Sequence, residues 1–157
     1  MKKLKLISGG QSGADTSIIA VARALDLPCG GMVPAGWMTE DGPRSDLANL
    51  GFTQSGSREY AVRTRQNVEQ SDATLIFATD PDSDGTRLTI AHARRCGKPV
   101  CVLDPYESGT MEQAEAWLKE IHPAVLNIAG NRESKAPGIR RQVECILRVA
   151  LSRYLAH

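Results

Sequence analysis

The chain carries no excess of charge of either sign. Among its 157 residues, 19 Lys and Arg stand against 18 Asp and Glu, a formal net charge of +1. That balance leaves no broad electrostatic footprint for DNA, RNA or an anionic membrane surface. Long hydrophobic runs are missing too. The opening Met1-Lys2-Lys3-Leu4-Lys5-Leu6-Ile7-Ser8 is basic, but its apolar run falls far short of a signal-peptide core or a membrane span. A cytoplasmic protein that binds neither nucleic acid nor membrane is expected. Cysteine is sparse and unpatterned. Cys29, Cys96, Cys101 and Cys145 form no C-x-x-C pair, and no histidine stands near them at zinc-finger spacing. They read as reduced, mostly buried thiols, with Cys96 and Cys101 flanking a helix-to-strand turn where an adventitious pairing stays open. His92, His122 and His157 fall in no ligand pattern and read as structural or solvated, so no metal site is expected.

What is present is an alternation of strand and helix signals from end to end. Leu4 to Ser8 reads as a strand, and Ala14 to Leu25 as a helix with Ile18, Ile19, Val21, Ala22 and Leu25 at helical spacing. Pro28 to Val33 suggests a second strand. Residues 34–56 are rich in Gly, Pro, Asp and Ser without sustained periodicity, and loops of that length are usually functional or mobile. Ser57 is the expected N-cap of a helix running to about Gln70. Thr74 to Ala78 is a continuous apolar run, as expected where helices cover both faces of a strand. A helix over Thr86–Cys96, a strand over Pro99–Leu103, a helix over Met111–Ile121, a strand over Ala124–Ile128 and a helix over Gly138–Tyr154 complete the pattern. Five strands with intervening helices predict an α/β fold, a doubly wound, Rossmann-like parallel sheet flanked by helices, in one domain over residues 1–157.

Three polar loops follow strands and precede helices: Ser8 to Asp15, Asp80 to Thr86 and Ala129 to Ser134. In an open parallel sheet such loops converge on a crevice at the carboxyl ends of the strands. Glycine admits close backbone approach, and a helix N-terminus adds about half a unit of positive charge, so the expected ligand is a small phosphorylated molecule. The first loop lacks both G-x-G-x-x-G and G-K-[ST], and no acidic residue closes the second strand, which argues against NAD. Ser12 and Asp15 also have capping-box spacing, so Gly9, Gly10, Gln11, Ser12, Gly13 and Asp15 support either a ligand loop or a helix cap. Tyr60, Arg63, Thr64 and Asn67 fall at i, i+3, i+4 and i+7 and share one helix face. That face presents either a stacking ring, a guanidinium fork and an amide to one ligand, or a solvated polar stripe. Arg63 is the member with least structural reason to be there, so its removal is expected to leave stability nearly unchanged. Asp80, Asp82 and Asp84 sit beside Gly85 and Thr86, as a solvated turn or as a cation-bridged or amine-contacting loop.

These motifs, taken in order, are similar to those of the molybdenum-cofactor carrier family, within the Rossmann-like SLOG group that includes the lysine-decarboxylase-like LOG phosphoribohydrolases. The resemblance spans nearly the whole chain. It is carried by Gly9 to Asp15, by Glu40-Asp41-Gly42, by Tyr60 with Arg63-Thr64 and Asn67-Val68, and by Ser71-Asp72 before Thr74-Leu75-Ile76. Gly85-Thr86 with Thr89, and Ala129-Gly130 with Arg132-Glu133-Ser134, complete it. The resemblance implies a protein that holds the molybdenum cofactor, a pterin dithiolene with a terminal phosphate, without turning it over. The LOG-type P-G-G-x-G-T-x-x-E is replaced by Pro81 to Thr89, where the paired glycines are gone and threonine stands for the glutamate. Asp84 and Asn131 also depart from the carrier pattern.

The resulting expectation is a non-catalytic binding protein. Gly9, Gly10, Gly13, Gly85 and Thr86 would hold the phosphate, Arg63 and Arg132 would neutralise it, and Tyr60 or Trp37 would contact the ring. The alternatives are a nucleoside-monophosphate N-glycosidase using Glu40, Asp41 or Glu133 as its acid, and a nucleotide-sensing interaction module. Apolar residues on more than one face of the last helix, Leu147, Val149 and Leu151, suggest a homo-oligomer, a dimer or tetramer.

Overall fold

A computed structural model describes residues 3–156. In chain order the elements are β1 (Lys5–Ile7), α1 (Ser17–Leu25), β2 (Cys29–Val33), β3 (Met38–Thr39), β4 (Gly42–Pro43), a 3-10 helix (Ser45–Leu50), β5 (Phe52–Gln54), α2 (Tyr60–Gln70), β6 (Ala73–Phe77), α3 (Asp84–Arg95), β7 (Val100–Leu103), α4 (Thr110–Ile121), β8 (Val125–Gly130) and α5 (Ile139–Leu155). Six strands form one sheet in the order β5-β2-β1-β8-β6-β7, with every neighbouring pair parallel. The result is a Rossmann-like α/β fold.

The apolar pattern explains the layering. All five residues of β6 are buried, because helices cover both faces of this strand. On α5, Ile139, Val143, Ile146, Leu147, Ala150 and Leu151 make a buried stripe that packs against α1 and α4. Helices α2 and α3 pack on each other in a second group. Leu147 and Leu151 are both 0 % exposed within the protomer. Of the apolar residues named on α5, Leu147 and Leu151 are therefore buried by the chain itself, and only Val149 is left half-buried.

Several local expectations are corrected. The sheet gains a sixth strand beyond the five read in the sequence, because residues 34–56, read as irregular, contain the β3–β4 hairpin, a 3-10 turn and the edge strand β5. Strands of two or three residues are too short to show period-two alternation in sequence. Helix α2 starts at Tyr60, and Ser57 instead accepts a hydrogen bond from the Glu59 N–H at 3.0 Å, before the helix begins. All four cysteines are free. Cys96 and Cys145 are exposed, Cys29 and Cys101 only half-buried, so mostly buried thiols were the wrong expectation. His92 is buried on α3, His122 ends α4 beside Tyr154, and His157 lies outside the described residues.

The strand order reverses beside β1, with β2 and β5 on one side and β8, β6 and β7 on the other. The loops after β1, β6 and β8 therefore meet at one sheet edge, where such folds form a crevice.

Candidate functional site

The loop after β1 does not cap a helix in the way its sequence suggests. Helix α1 begins at Ser17, with Thr16 in the N-cap position. Ser12 and Asp15 instead point to different partners. Asp15 is 4 % exposed; its Oδ2 accepts the Gln11 N–H at 3.3 Å and lies 3.5 Å from Nη1 of Arg63. Arg63 is thus not an exposed helix residue. Its side chain is 12 % exposed, and that of Asp15 6 %. Burial pushes the Asp15 carboxyl above its ordinary value, against Arg63, the Gln11 N–H, Arg132 and the Gly9 N–H, which all favour the charge. Burial likewise pulls the Arg63 guanidinium down, opposed by Asp15.

The glycines of this loop serve the ion pair and the neighbouring loop. A Cβ at Gly9 would overlap the Arg63 guanidinium, so the missing side chain is the space into which Arg63 fits. At Gly13, φ is +83°, and a Cβ would collide with the backbone of Asn131 and Glu133 in the loop after β8. Gly10 turns toward Val33, Leu47 and Phe52 of the core.

A cavity of about 530 Å³ opens where the three loops meet. Gln11, Asp15, Tyr60, Arg63 and Thr64 line one side; Asp84, Gly85, Thr86 and Thr89 of α3 line another; Asn131, Arg132 and Lys135 close the third. Arg132 lies over the Tyr60 ring at 4.5 Å from its centroid, and Arg63 at 5.6 Å from the same ring. Among the described residues Arg132 has no carboxylate at ion-pair distance. The first turn of α3 is capped by Ser83, whose Oγ accepts the Thr86 N–H at 3.4 Å. The Asp80 carboxylate turns back on its own loop to accept the Asp82 N–H at 3.1 Å. No group of three or more metal-ligating His, Cys, Asp or Glu occurs among the described residues.

A second cavity of about 390 Å³ is lined by Ser12, Gly13, Glu40, Asp41, Glu133 and Ser134, among others. Here the polar groups bind one another. Glu40, at the turn of the β3–β4 hairpin, accepts from the hydroxyls of Ser12 and Ser134 and from the Ser134 N–H at 3.3 Å. Burial pushes the Glu40 carboxyl up, but the bonds from Ser12 and Ser134 and the nearby Arg132 outweigh it and leave it below its ordinary value. Glu133 accepts the N–H groups of Gly138 and Arg140 at the start of α5.

Three expected site residues have other tasks. Asn67 brackets Met32 of β2, accepting its N–H at 2.8 Å and donating to its carbonyl at 3.0 Å, so the polar face of α2 divides between crevice and sheet. Asn131 accepts from the N–H groups of Thr79 and Asp80 and so ties the loop after β6 to that after β8. Trp37, in left-handed backbone at φ +58°, packs against the apolar core. Sequence reasoning missed Lys135 and Thr79 as crevice residues; both lie just outside the motifs, and only the loop geometry brings them in.

A parallel sheet with a polar crevice at its strand-order reversal defines the class: a Rossmann-like α/β protein whose loops, not its strands, set its chemistry. Residues 6–151 match the family described as the circularly permutated YpsA SLOG family, and the chain belongs to that family. Among solved structures, the crystal structure of the protein named "Putative molybdenum carrier protein" from Syntrophus aciditrophicus SB is 34 % identical, with a TM-score of 0.87 and 95 % of each chain covered. No protein of curated function matches.

Proposed function

We propose that this chain is a cytoplasmic binding protein for a phosphorylated heterocycle, with the molybdenum cofactor as first candidate, and that it holds its ligand without chemistry. One observation carries the reading: Arg132, with no carboxylate at ion-pair distance among the described residues, lines the same 530 Å³ crevice as Lys135 and the first turn of α3. A guanidinium, an ammonium and a helix N-terminus around a concave space of this size suit a phosphate on a small ligand. The name of the Syntrophus relative supports the candidate cargo.

The carboxylates favour holding over turnover. Asp15 is engaged by Arg63, Glu40 by two serines, and Glu133 by the start of α5. None of these three is free to act as a general acid, although Asp80 and Asp84 also line the crevice. Mass spectrometry of the small molecule that co-purifies from native cells tests the reading. A phosphorylated heterocycle is expected, at reduced occupancy in Arg132→Ala. Release of free base on incubation with AMP would overturn the non-catalytic part.

A further inference from the structure

Gln11 is 2 % exposed and lines the larger cavity. Its Nε2 donates to the Met38 carbonyl oxygen at 2.9 Å. A carbonyl can only accept, so this bond fixes which end of the amide is nitrogen and which is oxygen. Oε1 is then a buried acceptor with no donor. Arg63 shows the converse: its Nε is a buried donor with no acceptor, while Nη1 engages Asp15. Both residues line the same cavity and both are anchored on Asp15 Oδ2, Gln11 through its backbone N–H at 3.3 Å and Arg63 at 3.5 Å. Buried polar groups of native proteins are overwhelmingly paired, so an unpaired acceptor and an unpaired donor on two residues that line one cavity point to a missing partner.

We propose that Gln11 Oε1 and Arg63 Nε read the heterocycle itself, which must present a hydrogen-bond donor next to an acceptor, as the amidine edge of an aminopurine or the lactam edge of an oxo-ring does. The inference rests on the crevice being a phosphorylated-heterocycle site, in which Arg132, Lys135 and α3 take the phosphate. Gln11 is then the specificity residue, since its amide is locked by Met38 before any ligand arrives. A ring with acceptors but no N–H leaves Oε1 unsatisfied, which is how buried polar groups reject close analogues.

Calorimetric titration with four probes tests this: AMP, GMP, ribose 5-phosphate, and purine riboside 5′-monophosphate, whose ring has acceptors but no N–H donor. The wild-type protein is expected to bind AMP or GMP at least about tenfold tighter than purine riboside 5′-monophosphate. In Gln11→Met that gap closes, while ribose 5-phosphate binds as before. Arg63→Lys, which keeps the charge opposite Asp15 but loses Nε, should narrow the gain of AMP and GMP over ribose 5-phosphate, and it provides the test should Gln11→Met fail to fold. Ribose 5-phosphate bound as tightly as AMP and GMP, or discrimination retained in Gln11→Met, overturns this inference alone. Failure of all four probes to bind overturns the phosphate-site reading and this inference with it.

Discussion

The walls of the two cavities are built on opposite principles. Toward the larger cavity, Asp15 and Arg63 are buried together and leave Gln11 Oε1 and Arg63 Nε without partners. Toward the smaller one, Glu40, Ser12, Ser134 and Glu133 use their polar atoms on one another and on backbone. Both are polar, both lie at the same sheet edge, and both resemble a binding motif in sequence. A latch completes itself, whereas a binding wall is left incomplete until its ligand arrives, and that contrast separates them.

The largest expected effect breaks the binding wall. Arg63→Ala removes the ion-pair partner of the buried Asp15 carboxylate and should destabilise the protein by about 3–5 kcal/mol, a melting-temperature fall on the order of 10 °C. Adding Asp15→Asn to the same chain should restore much of that loss, because the unpaired charge is then gone. Differential scanning calorimetry checks both; a shift within about 1 °C for Arg63→Ala would mean that the pair contributes nothing.

That prediction reverses the one drawn from sequence, and the reversal shows where sequence reasoning ends. The β6 run, the stripe on α5 and the three loops after β1, β6 and β8 were legible, because each rests on a local apolar period or a local excess of small residues. The placement of Tyr60, Arg63 and Thr64 on one face was legible as well, since 3.6-residue spacing is local. The partner of Arg63 was not. Asp15 lies on another element, and the space for the guanidinium is the missing side chain of Gly9. Of the glycines that suggested a phosphate cradle, Gly9, Gly10 and Gly13 are explained largely by what packs against them, whereas a Cβ at Gly85 would meet nothing. The partner of Asn67 was hidden for a similar reason, because it is the backbone of Met32, 35 positions away.

The latch should yield less. Glu40→Gln keeps the shape but removes the charge that two hydroxyls and one N–H address, and should cost about 1–2 kcal/mol in urea unfolding. Glu133→Gln weakens only the anionic cap of α5, with a loss of about 0.5–1 kcal/mol by the same method. Equal losses for Arg63→Ala and Glu40→Gln would erase the distinction between the two walls.

The two carboxylates should also titrate with opposite sign. Asp15 is held above its ordinary 3.8, so the stability tied to its protonated form is complete below that pH and is lost as pH rises through the raised folded value. Glu40 is held below its ordinary 4.5, so its contribution is complete above that pH and is lost as pH falls through the lowered folded value. Urea midpoints measured across this range should show the wild-type advantage over Asp15→Asn shrinking as pH rises, and that over Glu40→Gln shrinking as pH falls. Matching slopes would place both groups in the same kind of environment.

Whether the incomplete wall is a binding site is tested most directly by the small-molecule content of protein purified from its own cells, compared between wild type, Arg132→Ala and Glu40→Gln. A phosphorylated heterocycle is expected in the wild-type protein, retained in folded Glu40→Gln and at reduced occupancy in Arg132→Ala. A bound molecule without phosphate, or one retained equally by Arg132→Ala, would contradict that reading.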